Sequence, residues 1–122
     1  MTEAIDQLDE RDRAPMHLGI IIETAEAERI WNAFRLANTA LDADHTVGIF
    51  LLGDGVEASG VETEKFNPRG VIRKFTRDGG ELLACGTCLD SRNLDASELR
   101  PRAAMSDLLA LVEDADRVVT IG

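Results

Sequence analysis

Short apolar runs alternate along this chain with segments in which apolar residues recur at helical spacing. The runs are typical of strands buried on both faces of a parallel sheet, and they cover residues 18–22, 46–52, 81–85 and 117–121. The helical spacing predicts three helices: one capped by Thr24 and reaching Leu41, one from Pro68 to the stop at Gly79-Gly80, and one from Ala103 to Val112. The chain therefore alternates strand and helix.

This alternation predicts an α/β fold, a three-layer α/β/α sandwich around a mostly parallel sheet. A length of 122 residues with 44% apolar content is typical of one domain, predicted here over residues 16–122. Residues 1–15 hold few large apolar side chains and are predicted to be a flexible extension. Residues 56–67 lack periodicity and are predicted to form a long loop that carries function or a subunit contact.

The chemistry-bearing motif is Cys85-Gly86-Thr87-Cys88, which holds the only two cysteines of the chain. It directly follows the apolar run of the third strand, so it lies at the strand's carboxyl end, where open α/β sheets usually bind ligands. The amino terminus lacks the basic and apolar segments of a secretion signal, so a reducing, cytoplasmic environment is expected. There, a Cys-x-x-Cys pair indicates catalysis, redox chemistry or metal binding.

Charge and hydropathy exclude two classes of partner. The formal net charge of −10 argues against binding a nucleic-acid backbone, which needs a basic surface. No run approaches the roughly 20 apolar residues that a membrane span requires. The acidic, lysine-poor composition fits both ordinary solubility and a salt-rich cytoplasm, and these two interpretations stay open.

No metal or cofactor is predicted. Structural zinc normally has four ligands, so one Cys-x-x-Cys supplies half a site unless subunits share it. His17 and His45 are separated by a whole strand and helix, which disfavours a metal or catalytic role for either. The turn after the first strand contains Glu23-Thr24 rather than a glycine fingerprint, so a dinucleotide site is unsupported.

Two segments in this order carry a family resemblance: Gly53-Asp54-Gly55 after the second strand, and Cys85-Gly86-Thr87-Cys88-Leu89-Asp90-Ser91-Arg92 after the third. Over residues 16–122 the chain resembles the DsrE/DsrF-like family. The resemblance implies a sulfur-relay protein in which Cys85 carries sulfur as a persulfide between donor and acceptor proteins. It also implies a homo-oligomer, a trimer or hexamer, and a short fifth strand for which Glu98-Leu99-Arg100 is the candidate.

The residues around Cys85 suit this chemistry independently. A thiolate attacks a donor persulfide, and backbone N–H groups or a cation favour the thiolate. Gly86 lets the backbone turn so that its amides face the sulfur, and Arg92 offers a positive charge. Cys88 either resolves the persulfide as a disulfide or protects it, and Asp54 and Asp90 are supporting candidates.

Other interpretations compete with this one. Cys85 is also suited to the core as a small buried residue, Asp54 to shaping a turn, and Arg92 to a solvated surface. Trp31 and Phe34 indicate core or a subunit contact. The alternative functions are a thiol-disulfide redox protein and a non-enzymatic oligomeric partner-binding module; the position after the third strand, rather than an early one, disfavours a thioredoxin-like enzyme.

Overall fold

The computed structural model of the protein describes residues 14–122, and within them five strands form one sheet. The strand order is β4-β3-β2-β1-β5, and every pairing is parallel. The strands are β1 His17–Ile22, β2 Thr46–Leu51, β3 Glu81–Cys85, β4 Arg102–Ala103 and β5 Arg117–Ile121. The predicted three-layer α/β fold with a four- to five-stranded sheet is confirmed.

Four α-helices and one 3-10 helix connect these strands in residues 14–122. The α-helices are α1 Ala27–Asp42, α2 Pro68–Arg77, α3 Gly86–Ser91 and α4 Met105–Asp114, and the 3-10 segment is Gly53–Gly60. The predicted extension, residues 1–15, lies outside the described residues apart from Ala14 and Pro15.

Helices α1 and α2 pack side by side on one face of the sheet. Their contact includes an edge-to-face pair of Phe34 and Phe75, with ring centroids 5.6 Å apart, and both side chains are fully buried. Asn38 of α1 donates from Nδ2 to the carbonyl of Val71 in α2 at 3.1 Å. Phe34 is therefore a core residue, whereas Trp31 is half-buried and packs on Phe66, 5.2 Å between centroids. This face carries the main hydrophobic core.

Helix α4 packs on the opposite face of the sheet, and few of its side chains are buried there. Gly19 and Gly48 are register partners in β1 and β2, and a Cβ at Gly48 would lie 2.6 Å from Cδ1 of Leu111. The missing side chains therefore leave room for Leu111, the one fully packed residue of α4. Met105, Leu109 and Val112 of this helix stay 60%, 58% and 42% exposed.

Three element boundaries differ from the sequence predictions for local reasons. Glu26 caps α1 by accepting from the Arg29 N–H at 2.8 Å, while the predicted cap, Thr24, accepts from the Glu26 N–H. The fifth strand lies at residues 102–103 rather than at the predicted 98–100, where Ser97 and Arg100 form an isolated antiparallel bridge. Because residues 102–103 pair with β3, α4 begins at Met105 instead of Ala103.

The cysteine segment and the long loop also contain helices that the sequence pattern did not indicate. Residues 86–91, predicted as a loop, form α3, and its Leu89 is fully buried in the core. The loop predicted over residues 56–67 begins inside the 3-10 segment, which extends to Gly60. Helix α3 and the 3-10 segment thus hold the residues near the cysteines in defined positions.

We expect Leu89→Ala to lower the free energy of unfolding by about 2–5 kcal/mol, because it leaves a cavity where α3 meets the core. Leu36→Ala is the matched control, since Leu36 is 45% exposed on α1 and should cost less than about 1 kcal/mol. Urea unfolding of both variants measures the difference. Equal losses would contradict the anchoring of α3 by Leu89.

Candidate functional site

Cys85 ends β3 and is at the same time the N-cap residue of α3. Its side chain is buried, and its Sγ accepts a hydrogen bond from the backbone N–H of Cys88 at 3.4 Å. An N-cap side chain accepts from the free N–H groups of the first helical turn, and here the acceptor is sulfur. The Cys88 N–H thus points at the Cys85 sulfur, and a hydrogen-bond donor in this position stabilises a thiolate.

Cys88 lies in α3 against the turn that follows β2. Its Sγ accepts from the backbone N–H of Gly53 at 3.2 Å. Gly53 has φ +55°, a left-handed conformation that glycine adopts without a steric penalty, so the turn can aim this N–H at the sulfur. The acidic turn and the cysteine motif, the two segments of the sequence resemblance, are therefore in direct contact.

The Cys88 thiol is harder to ionise than an ordinary cysteine. Burial raises its pKa, and interaction with the Cys85 thiol raises it further. The N–H of Gly53 and the charge of Arg92 lower the pKa, without cancelling the increase. The two thiols are thus close enough to influence each other, and Cys88 favours the protonated form.

Arg92 lies beside Cys88. Its Nη1 donates to the Cys88 carbonyl at 3.2 Å, and its Nη2 forms an ion pair with Asp54 at 2.7 Å. Glu57 adds a longer contact at 3.9 Å. Asp54 therefore positions Arg92 and ties α3 to the 3-10 segment, and the positive charge that the sequence suggested reaches Cys88.

The cation beside Cys85 is Arg102, which sequence reasoning missed. Both terminal nitrogens of Arg102 donate to the carboxylate of Asp90, at 2.9 and 2.7 Å. This pairing is the main reason that the pKa of Arg102 is raised and that of Asp90 lowered, and Cys85 also acts on Arg102 through charge. Arg102 comes 17 positions after Cys85, on a two-residue strand with no sequence pattern of its own, so no signal marked it.

Gly86 has a role that the sequence analysis did not predict, besides its place in the turn that brings a backbone N–H to the Cys85 sulfur. A Cβ at this position would lie 2.9 Å from Cζ and Nε of Arg102, so the glycine gives the guanidinium room to lie against the backbone next to Cys85. The N–H that contacts the Cys85 sulfur belongs to Cys88. The absence of a side chain at Gly86 therefore leaves space for the guanidinium of Arg102.

The two histidines lie at the opposite, amino-terminal edge of the sheet. His45 accepts at Nδ1 from the Met16 N–H at 3.0 Å, and Nδ1 of His17 lies 2.7 Å from Oγ1 of Thr46. Within residues 14–122, no three His, Cys, Asp or Glu side chains are grouped as a metal site would need. In the same part of the chain, no helix combines the length and the hydrophobicity needed to cross a membrane.

Comparison with known proteins agrees with this arrangement. The model of the DsrE/DsrF-like family matches residues 16–121. The chain belongs to the DsrE/DsrF-like family. An uncharacterized protein of Methanocaldococcus jannaschii is 35% identical over 99 residues, covering 76% of this chain and 87% of its own. Another, from Methanopyrus kandleri, is 35% identical over 98 residues, covering 75% of this chain and 81% of its own.

Membership in the family supports a sulfur-relay type of role in general. It also separates this chain from thioredoxin-like proteins at the level of family, even though its Cys-x-x-Cys opens a helix as theirs does. The structure brings all five sequence-predicted residues together around the cysteines: Cys85, Cys88, Asp54, Asp90 and Arg92.

We expect Cys88 to be alkylated at a higher pH than an ordinary thiol, because its pKa is raised. Cys85→Ala removes one cause of the increase and should move the pH midpoint of Cys88 alkylation down. Arg92→Gln removes a cation that lowers the pKa and should move the midpoint up. Iodoacetamide rates across pH, mapped by peptide mass, measure both shifts, and shifts of the same sign would contradict the assigned causes.

Proposed function

We propose that the protein carries sulfane sulfur as a persulfide on Cys85. The observation that carries this proposal is the setting of the Cys85 sulfur at the carboxyl edge of the sheet, with the Cys88 N–H and the Arg102 guanidinium beside it. A hydrogen-bond donor and a cation both stabilise the thiolate, which is the nucleophile in sulfur transfer. The general sulfur-relay role of the family supports the same chemistry.

The loading step is a thiol-disulfide type of exchange. The Cys85 thiolate attacks the outer sulfur of a donor persulfide, R–S–SH, and a new S–S bond forms as the donor S–S bond breaks. The donor leaves as the thiolate R–S⁻ with the bonding electron pair, and Cys85 becomes Cys85–S–SH. An acceptor thiolate then attacks the outer sulfur and returns Cys85 to its thiolate, so no external oxidant is needed.

Burial of Cys85 suits a carrier. Its side chain is only 5% exposed, so the thiol is shielded from general oxidants. A persulfide extends the group by one S–S bond of about 2 Å, which moves the transferable sulfur outward. The Sγ of Cys85 then stays in place, and the outer sulfur of the persulfide is the atom that is transferred.

Cys88 acts as the second thiol in this proposal. Its raised pKa disfavours the Cys88 thiolate, which makes Cys88 less suited to be the sulfur-accepting nucleophile. Cys88 either donates a hydrogen bond that protects the persulfide or attacks its inner sulfur. The attack releases HS⁻ and leaves a Cys85–Cys88 disulfide, which a thiol reductant must then reduce.

A thiol-disulfide redox function is the second candidate, because the two thiols interact and the motif opens a helix. In that case the protein cycles between dithiol and disulfide and carries no added sulfur. The Cys88→Ser variant separates the two functions, because without Cys88 a sulfur carrier keeps the added sulfur on Cys85, whereas a redox protein can form no disulfide within the motif.

Incubation of the reduced protein with a persulfide donor should add about 32 mass units at Cys85, removable by a thiol reductant. Cys85→Ser should abolish the gain, whereas Cys88→Ser should keep it, or lengthen its lifetime if Cys88 resolves the persulfide. Intact mass and fragment mapping measure the outcome. Undiminished loading of Cys85→Ser overturns the assignment, and a loss of about 2 mass units in the unchanged protein together with no gain in Cys88→Ser favours the redox function.

The contribution of Arg102 is tested with the same assay. Arg102→Gln removes the cation and should slow loading of Cys85 severalfold. Arg117→Gln is the control, since within residues 14–122 the Arg117 side chain on β5 makes one hydrogen bond, to the Asp116 carbonyl. Equal effects of the two variants would show that overall charge, rather than Arg102, sets the rate.

We further propose that α4 forms the contact of a homo-oligomer, a trimer or hexamer. A shallow apolar groove of about 420 Å³ runs along it, lined by Met105, Leu108, Leu109 and Val112. Exposed apolar surface of this kind commonly marks an association site. The cytoplasmic location, and donor and acceptor proteins as partners, are part of the same proposal.

Size-exclusion chromatography with light scattering should show a trimer or hexamer for the unchanged protein. Leu109→Glu should shift the population to monomer, because it places a charge in the proposed contact. Leu36→Glu is the matched control, since Leu36 is similarly exposed but lies on α1. A monomeric unchanged protein, or a Leu109→Glu variant that assembles fully, would overturn the proposed contact.

A further inference from the structure

A second, polar groove lies between α2 and residues 95–100. It encloses about 550 Å³, and Ser59 forms its floor at the end of the 3-10 segment. Three arginines line it: Arg69 and Arg73, one turn apart on α2, and Arg100 on the opposite wall. It is separate in its lining residues from the cysteine site.

Two of these arginines are fixed by the same buried serine. Arg69 donates from Nε and Nη2 to the Ser59 carbonyl at 3.2 and 3.0 Å. Arg100 donates from Nη2 to Oγ of Ser59 at 3.1 Å. The two guanidinium groups are therefore held close together, and within residues 14–122 their remaining N–H groups have no other hydrogen-bond acceptor.

The Arg100 Nε is the least satisfied of these donors. It is buried, and no acceptor for it exists among residues 14–122. A buried N–H without a partner is costly, and more so on a charged group. The Arg100 side chain, which lines the groove, thus carries a charge that the described residues satisfy incompletely.

The charges in the groove are also unbalanced at close range. Arg77, Arg92 and Arg102 each have a carboxylate within 4.0 Å, but in the described part of the chain Arg69, Arg73 and Arg100 have none. Asp95 and Glu98 line the groove without forming an ion pair there. The three arginines outnumber the two carboxylates, so the groove has a locally positive charge in a protein whose net charge is −10.

We propose that this groove binds a tetrahedral oxyanion, of the phosphate or sulfate type, through Arg69, Arg73 and Arg100. Guanidinium groups match such oxygens with charge-assisted hydrogen bonds. Donors that come from two walls of the groove suit oxygens that point in several directions, whereas a carboxylate presents its two oxygens in one plane. The anion accepts from the guanidinium N–H groups that face the groove and offsets the repulsion among the three positive charges.

Calorimetric titration at constant ionic strength tests the proposal, with chloride replacing each probe. Inorganic phosphate, thiosulfate and glycerol phosphate are the tetrahedral probes, and acetate is the planar comparison. Saturable binding of a tetrahedral probe, stronger than that of acetate, is expected. The strongest probe then distinguishes a free phosphate, a sulfur oxyanion and a phosphorylated small molecule as the source of the group.

Arg73→Gln should weaken that binding about tenfold, since one charge-assisted contact is lost. Arg73 is exposed and makes no side-chain hydrogen bond within residues 14–122, so the variant should fold. Arg117→Gln changes the net charge equally and should bind as the unchanged protein does. Glu98→Gln removes a carboxylate from the groove and should strengthen binding.

Lack of saturable binding up to about 10 mM of every tetrahedral probe would overturn the proposal, because that affinity is too weak for a built site. Equal weakening by Arg73→Gln and Arg117→Gln would overturn it as well, since net charge alone would then explain the result. A Cys85→Ser protein should bind the anion normally, so this test is independent of sulfur loading.

Discussion

The pairing of β3 with the two residues of β4 determines the surroundings of Cys85. The Ala84 N–H donates to the Pro101 carbonyl at 2.7 Å, and Cys85 lies opposite Ala103 in the parallel register. This edge pairing fixes Arg102 beside Gly86, where Asp90 holds its guanidinium. The end of β3 and the strand β4 thus come together beside Cys85. The positive charge near its sulfur is that of Arg102, so it depends on a strand only two residues long.

The same edge segment connects the two sites. Residues 95–100 form one wall of the polar groove, and the chain then enters β4 at Arg102. The 3-10 segment also connects the two sites. Its first residue, Gly53, donates to the Cys88 sulfur, and Ser59, near its end, accepts from Arg69. Both sites are therefore built on the same two connecting segments, residues 95–100 with β4 and the 3-10 segment. The sheet that supports these segments has its main hydrophobic core under α1 and α2.

Much of the fold could be predicted because apolar runs and helical spacing report burial directly. The apolar runs at residues 18–22 and 81–85 predicted strands that are largely buried, whereas the run at 117–121 predicted a strand but not its exposure, because β5 is an edge strand with no fully buried residue. A two-residue strand and a six-residue helix are too short to produce a period, so α3 was missed, and the fifth strand that the family resemblance implied was placed at residues 98–100 instead of 102–103. Arg102 was missed for the same reason, because its position depends on tertiary pairing rather than on nearby sequence.

The sheet order also affects how the molecule folds. Central strand β1 pairs on one side with β2, which follows directly, and on the other with β5. The hydrogen bond from the His17 N–H to Asp116, which lies next to β5, spans 99 positions of sequence. Pairings of such long separation form slowly because a large loop must close first. Docking of β5 therefore does more than add a strand: it closes the edge of β1, an apolar strand from Leu18 to Ile22 that an open edge would leave able to pair with another chain.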